Sequence, residues 1–330
     1  MINPLVVVRD IHLTSSVTVA GVVFFDLLVA TPVLRNDARF ARAASSFQQT
    51  ASKLLWSSLA LSIASAVAWL WVLSAQIAGK TVAEVIADGT AWMVLTQTQF
   101  GFAWEIRLLL VCLLAACLLL RLKAQDRRVA AWLLVAATLL VVAYLGGLAF
   151  AGHGAEGHDF ERNIHLAADI LHLNAAGLWL GALLPFALLL SQLQRFREDS
   201  WLVAAAAAAG RFSTLGVLAV GILLVSGTIN AAFLLGGLHS LIDTAYGRLL
   251  LLKLVLFAAM FSLAGINRQR LLPRLSAGIE TDQTSRSAKQ LVRSALVEIA
   301  LGVAIILVVG LLGITPPATE MATHLHAHPH

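Results

Sequence analysis

Eight long apolar stretches, at about 12–34, 54–78, 104–122, 129–150, 166–193, 212–237, 248–266 and 294–314, alternate with short polar connections. A helix needs roughly 20 apolar residues to cross ~30 Å of hydrocarbon. A segment in lipid must also satisfy its own backbone hydrogen bonds, which at these lengths only a helix does. The pattern predicts an all-α, polytopic integral membrane protein of eight transmembrane helices. No connection is long and polar enough to fold as a separate soluble domain.

Composition sharpens that picture. Hydrophobic residues make up 59% of the 330 and charged residues 12%, with a mean hydropathy of +0.85. The net charge of +5 is spread over the connections rather than gathered in a stripe, so it argues for membrane topology and against nucleic acid. Cys112 and Cys117 lie in one apolar run without a CxxC spacing, which leaves them to packing. No phosphate-binding loop or phosphorylation-type motif is present, which disfavours an ATP-driven pump.

Charge also sets the orientation. The connections 35–53, 121–128, 194–211 and 267–293 hold most of the Arg and Lys residues, among them Arg35, Arg121, Arg195 and Arg268. By the positive-inside rule these are cytoplasmic. Eight spans then put both termini outside.

Two patterns recur along the chain. His12-Leu13 followed by Gly21 and Arg35 matches His172-Leu173 followed by Gly181 and Arg195. Thr98-x-x-Gly101 followed by Arg107 matches Thr244-x-x-Gly247 followed by Lys253. A duplicated four-helix unit explains both: residues 1–150 form one half, 151–317 the other, and 318–330 a disordered His-rich tail. An even number of helices per unit makes the halves parallel, related by an axis along the membrane normal.

On this topology all ten histidines face outward. His165, Asp169 and His172, spaced i, i+4, i+7, share one helix face. His153 and His158 precede them in a Gly-rich loop. Imidazole and thioether are copper ligands. Met93 and His239 stand at equivalent places, each eight residues before the repeated glycine. The candidate metal ligands are therefore His172, Asp169, His153, His165, His12, His239, Met93 and His158, and the tail HLHAHPH would act as a weak collector. Asp26, fourteen residues beyond His12, is the candidate for a site further inward. Glu298 is read as snorkelling, Arg107 and Lys253 as partners of Glu105 and Asp169, and Trp69 and Trp104 as interface residues.

Gly152-His153, Asp169 with His172, Trp179 with Gly181, Tyr246-Gly247 with Lys253, and Asn267-Arg268 together resemble the copper resistance protein D family over about residues 150–275. The resemblance implies an eight-helix inner-membrane protein, not an enzyme, that handles copper beside periplasmic copper-binding partners. It departs at Arg9, which stands where the second half has Asp169. The expected function is copper transport, in the direction of uptake, across the cytoplasmic membrane, with copper the metal bound and lipid the surrounding partner. The competing expectation is a haem-binding membrane oxidoreductase, with His12 and His172 as paired axial ligands.

Overall fold

The computed structural model describes residues 3–34, 40–151, 159–198, 201–237, 239–276, 281–317 and 319. Among them there is no strand. Eight helices are long and apolar enough to cross a membrane: α1 (Pro4–Leu34), α2 (Ala41–Ala78), α3 (Gln99–Lys123), α4 (Arg127–Phe150), α5 (Phe160–Phe196), α6 (Trp201–Leu235), α7 (Ala245–Ser276) and α8 (Asp282–Leu312). Each expected span is present. Several run beyond their apolar cores, because the flanking polar turns continue the helix; α2, for instance, begins at Ala41.

The helix starts explain one of the recurring motifs. Thr98 Oγ1 accepts from Gly101 N at 3.0 Å, and Thr244 Oγ1 accepts from Gly247 N at 2.9 Å, so each threonine caps α3 or α7. The glycine is required for a separate reason. A Cβ at Gly101 would lie 1.9 Å from Leu95 O, and one at Gly247 would lie 2.1 Å from Ser240 O. Thr-x-x-Gly thus encodes a cap and a close approach by the segment just before it.

The other motif builds the centre. α1 packs against α2, α4, α5 and α8, and it meets α5 backbone to backbone. A Cβ at Gly21 would fall 1.9 Å from Gly181 C, and one at Gly181 would fall 2.1 Å from Val17 O. Absence of side chains lets the two helices touch, as small residues do where membrane helices cross. In the most apolar window of α1, and likewise of α5, 61% of the residues are buried, against 6% in α7.

Among the described residues three spans carry a π turn: Asp26–Ala30 in α1, Gly177–Gly181 in α5 and Asn267–Leu271 in α7. Such turns are frequent at functional sites. The one in α5 buries Trp179.

Candidate metal-handling site

His12 and His172 begin alike and end differently. His12 is fully buried, with Nδ1 3.0 Å from Ser62 O and 3.1 Å from Ser65 Oγ. A carbonyl only accepts, so Nδ1 carries the proton and Nε2 the lone pair. Arg107 Nη2 donates to that Nε2 at 2.8 Å. The guanidinium is itself fixed, 4.8 Å from the ring centroids of both Trp104 and Tyr144, with Nε donating to Tyr144 O at 3.3 Å. Both nitrogens of His12 are therefore in use.

In the second half, His172 Nδ1 lies 3.0 Å from Ser226 Oγ. The Ser226 hydroxyl donates to Ile222 O at 2.6 Å, which leaves Oγ to accept from His172 Nδ1–H and puts the lone pair on Nε2. Among the described residues nothing donates to this Nε2. Ser65 and Ser226 thus play the same part on α2 and α6, while Arg107 closes one imidazole and the other borders open space.

That space is a cavity of about 280 Å³ walled by α1, α5, α6, α7 and α8. His165, Asp169, His172, Asn230, Tyr246 and Lys253 line one side of it. Asn230 Nδ2 donates to Asp169 Oδ1, which orients the carboxylate. The His165 ring stacks on Phe233, with centroids 5.0 Å apart and planes at 16°.

Arg9 and Asp10 of α1 face the same cavity. Arg9 is drawn aside: Nη1 donates to Gly313 O at 2.6 Å and the guanidinium lies 5.2 Å from the Trp69 ring centroid. Asp10 is only 7% exposed, and its Oδ1 has no hydrogen-bond partner among the described residues. It rests against Gly310, where a Cβ would come 1.9 Å from that oxygen. A buried acceptor left unmatched costs about 1–3 kcal/mol and more when charged, so a cation in the cavity would be well received.

Three of the expected ligands, His165, Asp169 and His172, share a cavity rather than a finished coordination sphere, and His12 lies outside it. Among the described residues no three His, Cys, Asp or Glu side chains converge to hold a metal ion. Met93 is 51% exposed on the short helix Thr90–Gln97, and His239 is exposed beside the turn Ser240–Asp243; neither lines the cavity. His153, His158 and the tail histidines lie outside the described residues.

Four readings of charged and aromatic residues change. Asp26 is paired rather than free: Arg121 Nη1 donates to Oδ2 at 2.7 Å and Thr31 Oγ1 to Oδ1 at 3.0 Å. Glu298 does not snorkel but is buried, with Oε1 accepting from Asn267 Nδ2 at 2.7 Å. Arg107 serves His12, while Glu105 is exposed. Trp69 and Trp104 pack on the His12 ring, with centroids 5.6 and 5.4 Å away, instead of marking the interface.

Comparison with known proteins places this arrangement. Residues 206–312 match the family described as copper resistance protein D, and residues 1–160 match the copper resistance protein D-like, N-terminal domain. Copper resistance protein D of Pseudomonas syringae pv. tomato is 31% identical over 270 residues, covering 78% of this chain and 84% of that protein. The chain belongs to the copper resistance protein D family. Another relative is the inner membrane protein YebZ of Escherichia coli (strain K12), 31% identical over 94% of this chain and 98% of its own length. The copper transport protein CutJ of Bacillus subtilis (strain 168) is 34% identical over 52% of this chain but only 31% of that protein. No solved structure matches the chain. Within the family matches, Asp10 and Leu13 fall in the N-terminal region and Asn230, Tyr246 and Lys253 in the C-terminal one, so the cavity draws on both.

Proposed function

We propose that this protein carries copper inward across the cytoplasmic membrane, receiving it in the cavity beside His172. Two of the relatives are named for copper resistance and copper transport, and another for the inner membrane. The observation that carries the reading is the contrast between the two histidines: His172 offers a lone pair at Nε2 next to Asp169, whereas Arg107 occupies the same atom of His12.

The side chains have separate roles. His172 supplies the nitrogen ligand, with its tautomer held by Ser226. Asp169, steadied by Asn230, and Asp10 from the opposite wall offset the cation's charge in a medium of low dielectric. Lys253 on the cavity wall sets a limit on how much positive charge rests there. The His-rich tail and, beyond it, a periplasmic copper-binding protein would feed the outer face, and the membrane potential would favour inward movement of the cation. The chain would act as a duplicated four-helix carrier in which one of two equivalent imidazole positions has kept an accessible nitrogen.

The haem alternative fares worse on geometry. Paired axial imidazoles need a free nitrogen on each ring, and both nitrogens of His12 are engaged. The deciding experiment is metal analysis with an absorption spectrum of the purified protein, beside radiocopper accumulation in cells. Copper without a Soret band, and accumulation lost in His172→Ala, are expected. A Soret band or undiminished accumulation in that variant would overturn the proposal.

A further inference from the structure

A second cavity, of about 290 Å³, opens nearer the arginine-rich ends of α5 to α8. Four of the helices that wall the first cavity, α5 to α8, also wall this one. Trp179 and Leu183 border it from α5, Asn267 and Arg268 from α7, and Glu298 from α8. Glu298 is 3% exposed, and its carboxylate is held by Asn267 at 2.7 Å. Burying a carboxylate this deep in a membrane bundle is costly; Arg268 on the same cavity wall is turned to Ser213, to whose Oγ its Nη1 donates at 2.8 Å, so a cationic or protonated occupant of the adjoining space would be favoured.

The two cavities are close. Along α5, Leu180 borders the first and Leu183 the second, a separation of three residues or about 4.5 Å of helix rise. One apolar layer divides them. Trp179 meets Phe257 of α7 edge to face, with centroids 5.9 Å apart and planes at 86°. Leu180 fills the notch at Gly302 of α8, where a Cβ would lie 1.9 Å from Leu180 Cδ1. Trp179 and Leu180 both belong to the π turn Gly177–Gly181, a backbone form that differs from regular α-helix by one residue and can revert to it by local rearrangement.

We propose that the second cavity is a further cation station on the copper path, with Glu298 as its anionic ligand, and that the Trp179–Leu180–Phe257 layer is the closed barrier between the two stations. This rests on the transport reading. A cation leaving His172 would pass the layer when the α5 π turn repacks, meet the Glu298 carboxylate and the Asn267 amide oxygen, and leave among the basic residues of the 267–293 connection.

Two measurements test it. The first needs no copper: in a background carrying Cys112→Ser and Cys117→Ser, Ser213→Cys in the second cavity and Asn230→Cys in the first are exposed to a membrane-impermeant thiol reagent. Right-side-out and inverted vesicles are compared. Each cysteine is expected to react from one face only, the two from opposite faces, and Trp179→Ala should make Ser213→Cys reactive from both. Reaction of the Trp179-containing protein from both faces, or of neither cysteine from any face, would overturn the barrier. The second compares Glu298→Gln with the parent: copper binding at equilibrium should stay within about twofold, while copper flux falls at least tenfold. Unchanged flux, or binding lost along with flux, would remove Glu298 as a station. If the parent protein itself moved no copper, transport would fail, and the station with it, while the labelling pattern would still judge the barrier.

Discussion

Arg107 donates to Nε2 of His12 at 2.8 Å, filling with a guanidinium the position that a metal ion would take on an imidazole. The pair is buried, and the arginine is clamped between Trp104 and Tyr144. Its first consequence is energetic. Arg107→Ala leaves His12 Nε2 without its donor, removes the bond to Tyr144 O and opens a void between the two rings. A loss of about 2–4 kcal/mol is expected from unmatched buried acceptors and lost packing. Thermal unfolding in detergent should show a lower midpoint, with copper affinity at the His172 cavity nearly unchanged. An equal fall in copper affinity would mean that His12 belongs to the binding site.

The His172 cavity itself should respond in graded fashion. His172→Ala is expected to abolish tight copper binding. Asp169→Asn should weaken it by about 10–100-fold if the carboxylate only orients and neutralises, and should remove it almost entirely if Asp169 touches the ion. Asp10→Asn is expected to weaken binding too, and to combine with Asp169→Asn non-additively, since both carboxylates face one cavity and one ion. Competition against a chromophoric copper chelator gives each number. Wild-type affinity in His172→Ala would place the site elsewhere.

Glycines divide into those that bear contacts and those that do not. Gly21→Ala would drive a Cβ to within 1.9 Å of Gly181 C, backbone that has no room to yield. It should destabilise by more than the usual ~1–3 kcal/mol of overpacking and lower the amount of folded protein in membranes. Gly210→Ala meets nothing within 4 Å and should be neutral or stabilising by up to about 1 kcal/mol through helix propensity. Equal stability of the two variants would contradict the backbone crossing.

Removal of residues 322–330 should lower copper capture when copper is scarce and leave transport at ample copper intact. Uptake measured across a copper titration distinguishes the two. Complete loss at every concentration would make the tail part of the central site.

Orientation is open to direct measurement. A cytoplasm-dependent reporter fused near residue 280 should be active, and one fused after residue 317 inactive. The reverse result would invert the bundle and put the histidine face inside.

The spans were legible because apolar length is a local property, and the two repeated motifs because each encodes a local device: Thr98 and Thr244 cap helices, and Gly21 and Gly181 remove side chains at a crossing. What could not be read is partnership across distant helices. Nothing near Asp26 in sequence announces Arg121, ninety-five positions away, and nothing near His12 announces Arg107. Asp10, next to Arg9 at the start of an apolar helix, carries the ordinary signature of an interface residue; only the packing of α8 onto α1 shows it buried and unmatched. Helical spacing correctly put His165, Asp169 and His172 beside a common space, but it could not tell that Phe233 would cover His165.

The slight burial of α7 bears on which part of the bundle is compliant. In its most apolar window 6% of residues are buried, so most of its surface would rest on lipid, a fluid partner that yields as the helix shifts. α1 and α5, which meet backbone to backbone at Gly21 and Gly181, cannot shift as whole helices in this way, whatever their turns do locally. Yet α7 carries Tyr246 and Lys253 into the first cavity, Phe257 onto Trp179, and Asn267 onto Glu298. A small tilt or rotation of this one helix would alter charge at the first cavity, packing at the dividing layer and hydrogen bonding at the second cavity together, at little expense to the rest of the core. Bilayer thickness and tension act first on the helix that lipid touches most, so under the proposed transport the lipid itself would become a setting on the rate of passage.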